Sequence, residues 1–499
     1  MTAATFSEAR PTTRKRIPAK RNWTIVAAGL LSAIYLITSI LIARHRLFWY
    51  DEILTVIYSV KPTISAMWQS FIRGADGSAP ANDLIVRLFA HLSFPLEVSA
   101  RLPSALAVAA GLLVTFDCAR HLADGIYGLI AVAFLTCSTL PYYGYEARPY
   151  ALFFLFSAVA LWLWMNTGDS TTSAFLLGGI FFLAVWVHYY TVLWLAPYTL
   201  WEFLNRDSRP VPSRKLIAAY AGVFCGLASL LRPILAQHRA LACGFWSPAS
   251  IRNLVFTFTD LFPHVLFPLV ALIGIAALWA PKQKKSLVPP MQPYEQLCWL
   301  FASLPIVGFV VGKLATHAFL SRYFIGLLPA FAIGLACLMW RHFAASKLTA
   351  VVAFALFAAF GLAQQLEHVR YSSSVRPIPP TLELDRMHAM LALEEQLPAR
   401  HVIVLRPGDL LSLEAHYYAR HPERIVFLLG PGESAPDPHA PLSTGENRPI
   451  RHWTVEELRG NARDAILIDP TPQTLDDLHR SGHPTTEHYD GILDVVEVQ

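Results

Sequence analysis

Long apolar runs without charge recur along this chain, and they restrict its folding more than any other feature. The first, Trp23 to Ala43, contains no charged residue. About 20 such residues span the hydrocarbon core of a bilayer. Lipid offers no water to backbone N–H and C=O groups, so a spanning segment must be a helix or part of a closed barrel. Continuous apolar runs, rather than strict alternation, select the helix. The balance of residues agrees, with 54% hydrophobic and 15% charged, whereas a soluble domain carries roughly 25% charged residues. The first run exceeds the roughly 7–15 residues of a signal-peptide core, and no clear A-x-A site follows it. It reads as a signal anchor that is retained.

Spans are expected near 23–43, 102–119, 126–142, 149–165, 173–188, 190–204, 216–235, 263–280, 297–313, 323–340 and 348–364. The fold class is therefore a membrane all-α bundle of about eleven transmembrane helices. Charge placement orients it. Arg10, Arg14, Lys15, Arg16, Lys20 and Arg21 precede the first span. Positive charge marks cytoplasmic segments, and this cluster reads as a topology anchor rather than a nucleic-acid surface. Alternation then requires basic loops after the even-numbered spans. Arg206, Arg209, Arg214 and Lys215 follow the sixth, Lys282, Lys284 and Lys285 the eighth, and Arg341 and Lys347 the tenth. The weakest division is at 188–190, where one kinked helix would place the basic 205–215 loop on the wrong side.

The expected organisation is a cytoplasmic basic N-terminus (1–22), a transmembrane unit (23–365) whose outer loop is 44–101, a linker (366–380) and an extracytoplasmic α/β domain (381–499). In that last domain HVIVL (401–405), RIVFLL (424–429) and AILID (465–469) read as buried strands, with helices at 409–420, 454–462 and 472–481. Thr454 and Glu457 fit a capping box. His416, His421, His439 and His452 are dispersed and read as surface residues, and location alone suggests acceptor docking or a lid as the tail's role. The cysteines form no C-x-x-C pair: five lie in apolar runs and Cys243 is alone in a loop. No internal repeat, P-loop, zincin motif, nucleophile elbow or dinucleotide fingerprint is present.

Polar residues near the membrane collect on one expected face. They are Asp51 and Glu52 in FWYDEILT, Arg101 in ARLPSAL, Glu146 and Arg148 in YYGYEARPYAL, His188 with Tyr189 and Tyr190, Lys313 and His317, and Arg322 and Tyr323 in SRYFIGLLPA. Singly, each has an ordinary reading. The acids can end a helix at the headgroups, the arginines can snorkel to lipid phosphate, the tyrosines and Trp49 can form an aromatic belt, and His188 can be a satisfied polar residue at a turn. Together they favour function, because polar groups at membrane depth are costly.

FWYDE, ARLPSALA, YEARPYAL, HYY and SRYFIGLLPA, in that order, resemble the protein O-mannosyltransferase group of the C-type (GT-C) glycosyltransferase superfamily. That group includes the bacterial aminoarabinose transferases. The resemblance covers roughly residues 23–345. It implies an enzyme of the inner (plasma) membrane that moves a hexosyl or pentosyl unit from a polyprenyl-phosphate sugar to a hydroxyl on a protein, lipid or glycan acceptor. Transfer would occur on the extracytoplasmic side with inversion, without a nucleotide or nucleic-acid partner. On this resemblance Asp51 is the base, with Glu52 and Glu146 as further catalytic acids.

A leaving phosphate gains negative charge, which a guanidinium stabilises through two parallel hydrogen bonds. Arg101 is the first expected phosphate ligand, followed by Arg148, Arg322 and Lys313. His188, Tyr189, Asp83, His317 and Tyr323 are expected at the substrate. The sequence departs from the family at GSAPANDLIVRL (77–88), where relatives carry a His-Pro-Pro-Leu-Tyr-like stretch and this chain has Asn82 and Asp83. The acceptor or sugar site is thus expected to differ. The Asp-Glu pair is not the Asp-x-Asp of metal-dependent oligosaccharyltransferases, so no metal is assigned, although Asp51 and Glu52 could bind one. Two other readings stay open: a transporter or flippase of lipid-linked glycans, and an inactive glycan-binding relative. Clustering of the acids at one mouth, rather than at mid-depth, favours the enzyme.

Overall fold

The structure is a computed structural model that describes residues 23–74, 77–206, 212–240, 247–265, 268–271, 289–343, 346–372, 382–405, 410–429, 451–489 and 493–498. The expected basic N-terminus (1–22), most of the span at 263–280, Lys282, Lys284, Lys285, Cys243, most of the linker and His439 lie outside these residues.

The first half is helical. Helix α1 (Trp23–His45) is followed by three short helices, α2 (Tyr50–Ser59), α3 (Ile64–Ile72) and α4 (Ala81–Phe89), and then by the long α5 (Leu96–Leu122). The segment 44–101, expected only as a loop, is therefore mostly helical. Thr63 caps α3 by accepting the Ala66 N–H, as a short hydroxyl side chain at a helix start should. Helix α5 begins six residues before the expected span. Arg101 made its first turns look like loop, although its side chain is buried against α1 and α2 by the pairing described below.

Further helices cover Gly125–Thr136, Tyr150–Asn166, Thr171–Val187, Leu195–Leu204, Arg214–Ser229, Pro293–Leu300, Leu304–Val311, Leu328–Phe343 and Lys347–Ser372. His188 takes extended backbone after Val187, and a 3-10 turn follows before Leu195. The two apolar runs on either side are thus separate helices.

Among the described residues, five helical segments are long and apolar enough to cross a membrane, or six if the pair Arg214–Ser229 and Leu231–Arg239, bent by 62°, counts as one. Eleven full spans are not reached among the described residues, which omit most of 263–280. Gly125–Thr136, Tyr150–Asn166 and Thr171–Val187 are apolar but of 10–17 residues. At about 1.5 Å rise per residue these fall short of a bilayer core of about 30 Å.

One continuous core, from Ala28 to Phe357, fills the bundle. Two devices in it were invisible in the sequence. A side-chain Cβ at Gly222 would meet the Gly178 carbonyl oxygen at 2.1 Å, so the helices Thr171–Val187 and Arg214–Ser229 meet backbone to backbone. Small residues permit such approach in lipid, where packing replaces the hydrophobic drive. Lys215, expected as a solvated loop charge, is 4% exposed. Its ammonium donates to the carbonyls of Leu163, Trp164 and Thr167 and closes the C-terminus of the helix Tyr150–Asn166, where helix-dipole and orphan carbonyls both favour a cation.

The C-terminal region is an α/β layer. Its six strands are β1 (Val402–Leu405), β2 (Ile425–Leu428), β3 (Arg451–Trp453), β4 (Ala465–Ile468), β5 (Thr485–Tyr489) and β6 (Asp494–Val498), in the order β3-β2-β1-β4-β6-β5. The first four are parallel, with Ile403 opposite Ile425 on one side and Ile466 on the other. β6 and β5 join antiparallel. The three apolar strands read from the sequence are the buried centre. β3, β5 and β6 are the edge and antiparallel strands, whose partly polar faces carry no such run. Thr454 and Glu457 form the expected capping box. His416 is 1% exposed, in contrast to the surface position expected for it, and packs edge-on to Phe427.

Candidate active site

Helix α2 carries the two acids, and its geometry sends them to different surroundings. Glu52 is fully buried. Its Oε1 accepts Arg101 Nε at 2.7 Å and the Ala147 N–H at 2.7 Å, while Oε2 accepts Arg101 Nη2 at 2.6 Å and the Trp49 N–H at 3.3 Å. Glu52 thereby caps its own helix and ties it to α5 and to the turn before Tyr150. Arg101 is 1% exposed. Besides Glu52, it donates from Nη1 to the Ala43 and Arg46 carbonyls and from Nη2 to the Leu47 carbonyl, and Phe48 lies against its guanidinium face. A guanidinium has five N–H donors, and these contacts engage all of them. The residue expected first as a phosphate ligand is instead an internal strut.

Asp51 is one residue earlier and less enclosed, with 18% of its side chain exposed. Arg322 Nη2 lies 3.1 Å from its Oδ2 and Arg148 Nη2 lies 3.9 Å from the same atom. Arg148 is held by the Asp51 carbonyl and the Thr55 hydroxyl, each at 3.0 Å. Arg322, 21% exposed, lies over the rings of Trp49 and Tyr150. Three distant segments, 50–59, 148–150 and 321–323, therefore meet at a half-open carboxylate flanked by two guanidiniums.

Glu146 lies in the turn between helices and is fully buried. Burial and the nearby Glu52 push its carboxyl up to about 7, against the opposing pull of Arg46. Arg46 had not been singled out in the sequence. Its Nη2 donates to the Tyr142 hydroxyl at 3.0 Å and its guanidinium faces the Tyr142 and Tyr145 rings. Its position just before the Asp-Glu motif was the one available signal.

The remaining expected residues divide into two groups. His188 stacks on Phe153 at 4.7 Å and meets Tyr323 at 5.2 Å, and Tyr190 meets Tyr323 at 4.8 Å. With Tyr150 they make an aromatic wall beside Arg322. Tyr189 accepts a hydrogen bond from Gln237. Asp83 is fully buried in the first turn of α4, beside Asn82, which donates to the Ala147 carbonyl. Lys313 and His317 are exposed. Lys313 lies over Phe309, and His317 ends its helical turn with φ 54°. Among the described ion pairs neither joins Asp51. Among the described residues no three His, Cys, Asp or Glu side chains gather as a metal cluster.

The chain has a fold similar to that of ArnT from Cupriavidus metallidurans. It aligns with the undecaprenyl-phosphate-bound structure at 12% identity and TM-score 0.59, covering 96% of this chain and 98% of that one. The apo structure aligns at the same identity and TM-score, covering 94% and 97%. Residues 77–234 match the family described as dolichyl-phosphate-mannose-protein mannosyltransferase. No curated protein matches by sequence. The chain thus shares the fold of these ArnT structures, and its residues 77–234 resemble that mannosyltransferase family.

Proposed function

We propose that this protein transfers a sugar from a polyprenyl-phosphate donor to an acceptor hydroxyl, with Asp51 as general base and Arg148 and Arg322 as the cations that receive the donor phosphate. The observation that carries this reading is the half-open Asp51 carboxylate held between two guanidiniums at 3.1 and 3.9 Å. A sugar phosphodiester entering the opening would compete with Asp51 for those cations. Once it draws Arg322 away, the carboxylate becomes free to accept a proton.

The chemistry follows. The acceptor oxygen attacks the anomeric carbon from the face opposite the phosphate and forms the new C–O bond. The bond to the phosphate oxygen breaks and its electron pair stays on that oxygen. The hydroxyl proton passes to Asp51. Guanidiniums fixed before the reaction stabilise the growing phosphate charge without reorganising, and a positioned base contributes typically 10²–10⁴-fold. Arg101 and Glu52 serve by holding α2 in place. Glu146 sits behind them as an acid near its midpoint, and the wall of Tyr150, His188 and Tyr323 offers ring faces to the sugar. Lys313 and His317 are left for contact with lipid headgroup or acceptor. The bound undecaprenyl phosphate of the ArnT structure supports a lipid-linked donor.

On this reading the chain lies in the plasma (inner) membrane with its N-terminus cytoplasmic. The opening and the region from about 381 face the other side. The test is release of polyprenyl phosphate by purified protein given a polyprenyl-phosphate sugar and acceptor extract. Asp51→Asn should lower turnover by roughly 10²–10⁴-fold while donor still binds. Wild-type turnover in that variant would remove Asp51 from the mechanism.

A further inference from the structure

We infer that the C-terminal α/β region is a working part of the catalytic centre, with Glu414 and Tyr418 as positioning residues that set the helix carrying Asp51. This rests on the transferase reading above.

The N-terminus of α2 has a problem the sequence does not solve. Its N-cap residue is Trp49, whose indole donates and cannot accept, so the first backbone N–H groups of the helix need acceptors from elsewhere. Glu52 supplies one, for Trp49. The helix Leu410–Tyr418, far away in sequence, supplies one for Tyr50 and holds the residue before the cap as well. Glu414 Oε1 accepts the Tyr50 N–H at 2.7 Å, and the Tyr418 hydroxyl oxygen accepts the Phe48 N–H at 2.7 Å. Glu414 is fully buried, a position a carboxylate occupies only with compensating partners.

Packing follows the same seam. Phe48 meets Tyr417 edge-on at 6.4 Å. Leu47 packs into the core beneath β1 formed by Met387, Met390, Ile403 and Leu405. Tyr417 and Tyr418 pack on the cluster of Phe48, Ile53, Val56 and Ala147 around α2. Residues 47–50 are thus held from the C-terminal side immediately before Asp51. The Asp51 carboxylate can keep its place beside Arg148 and Arg322 only while that segment is fixed, and small displacements of a reacting group cost roughly 10²-fold in rate.

The experiment uses the full chain and compares Glu414→Met, Tyr418→Phe and Glu414→Gln with wild type in two measurements. The first is amide hydrogen exchange over the peptide containing Phe48 and Tyr50. The second is steady-state release of polyprenyl phosphate. Glu414→Met should accelerate exchange and lower kcat roughly ten- to hundredfold, with donor KM within about twofold of wild type. Glu414→Gln keeps a carbonyl acceptor and should restore most of both. Tyr418→Phe removes a single oxygen, so it folds even if Glu414→Met does not, and it should show the same split.

Faster exchange with unchanged kcat would overturn the inference, leaving the contact purely structural. So would a rise in KM with kcat preserved, or a Glu414→Gln variant as slow as Glu414→Met. Wild-type protein that releases no polyprenyl phosphate would sink the transferase reading itself, and exchange protection would still report on the clamp separately.

Discussion

Removing Arg101 should damage the fold, whereas removing Arg322 should damage donor binding, and the contrast tests how the four guanidiniums divide their labour. Arg101→Met deletes a guanidinium that is 1% exposed and leaves the Glu52 carboxylate, fully buried, without its ion partner. Stripping one member from a buried pair costs about 3–5 kcal/mol. The Ala43, Arg46 and Leu47 carbonyls lose donors as well, each worth roughly 1–3 kcal/mol if water cannot replace them. The lower figure alone shifts the unfolding equilibrium by roughly 10²-fold.

The double variant Arg101→Met with Glu52→Met removes both charges, and apolar replacement of a buried pair is often neutral. It should recover most of the loss. It should not recover all of it, because the Trp49 and Ala147 N–H groups that Glu52 satisfies remain without an acceptor. Unfolding in mixed micelles for wild type, both single variants and the double variant gives the coupling energy, expected to exceed about 2 kcal/mol. Arg322→Met, at 21% exposure, should leave stability nearly unchanged and weaken donor binding roughly tenfold or more, the worth of one charged hydrogen bond. Additive stability losses in the cycle, or an Arg101→Met protein of wild-type stability with impaired donor binding, would refute this assignment and return Arg101 to the phosphate.

Gly222→Val should destabilise the bundle by roughly 1–3 kcal/mol, because the added carbons would enter the space of the Gly178 carbonyl; a thermal shift within error of wild type would mean that the two helices can separate without loss. Glu146 predicts a pH dependence. Its carboxyl is raised in the fold to about 7, so the folded protein holds the proton more tightly than the unfolded chain. The associated stability is complete below the unfolded carboxylate value near 4.5 and is lost as pH rises through 7. Melting temperature of wild type should fall across that window, and Glu146→Gln should flatten the decline; parallel curves would show that Glu146 does not titrate there.

The bundle was legible because the membrane imposes a simple code: long apolar runs and loop charges suffice to find helices and divide them, as at His188. The code fails where helices are short or polar yet buried. α2 and α4 carry Asp51, Glu52, Asp83 and Arg87 and looked like loop, because placing these charges within the fold depends on partners from other segments. The site shows the same division. FWYDE and SRYFIG were visible as motifs, and the structure brings Asp51 and Arg322 to 3.1 Å. The sequence could not show that the neighbouring acid turns inward, because that depends on which side of α2 faces α5. Nor could it reveal Glu414, since a carboxylate in LLSLEAHYY resembles any helix-surface acid until the fold carries it to Tyr50.

Taken as a unit, the centre has a charge imbalance that bears on its substrate. Arg46, Arg101, Arg148 and Arg322 stand against Asp51, Glu52 and Glu146. Arg101 and Glu52 cancel each other internally, and Arg46 lies beside Glu146. Around Asp51 two guanidiniums share one carboxylate, which leaves one positive charge in surplus at a partly exposed position. A phosphodiester donor brings one negative charge and fills that surplus. Bond cleavage turns the diester into a monoester, whose second charge must be met as the sugar leaves. In the mechanism proposed above, Asp51 would gain the acceptor proton in the same step and become neutral, leaving Arg148 and Arg322 to the new phosphate charge. On that proposal the base and the leaving group would compete for the same two cations during one turnover. A neutral lipid-linked substrate would gain nothing from this arrangement, so loss of the donor's negative charge should abolish competition with polyprenyl phosphate for the site.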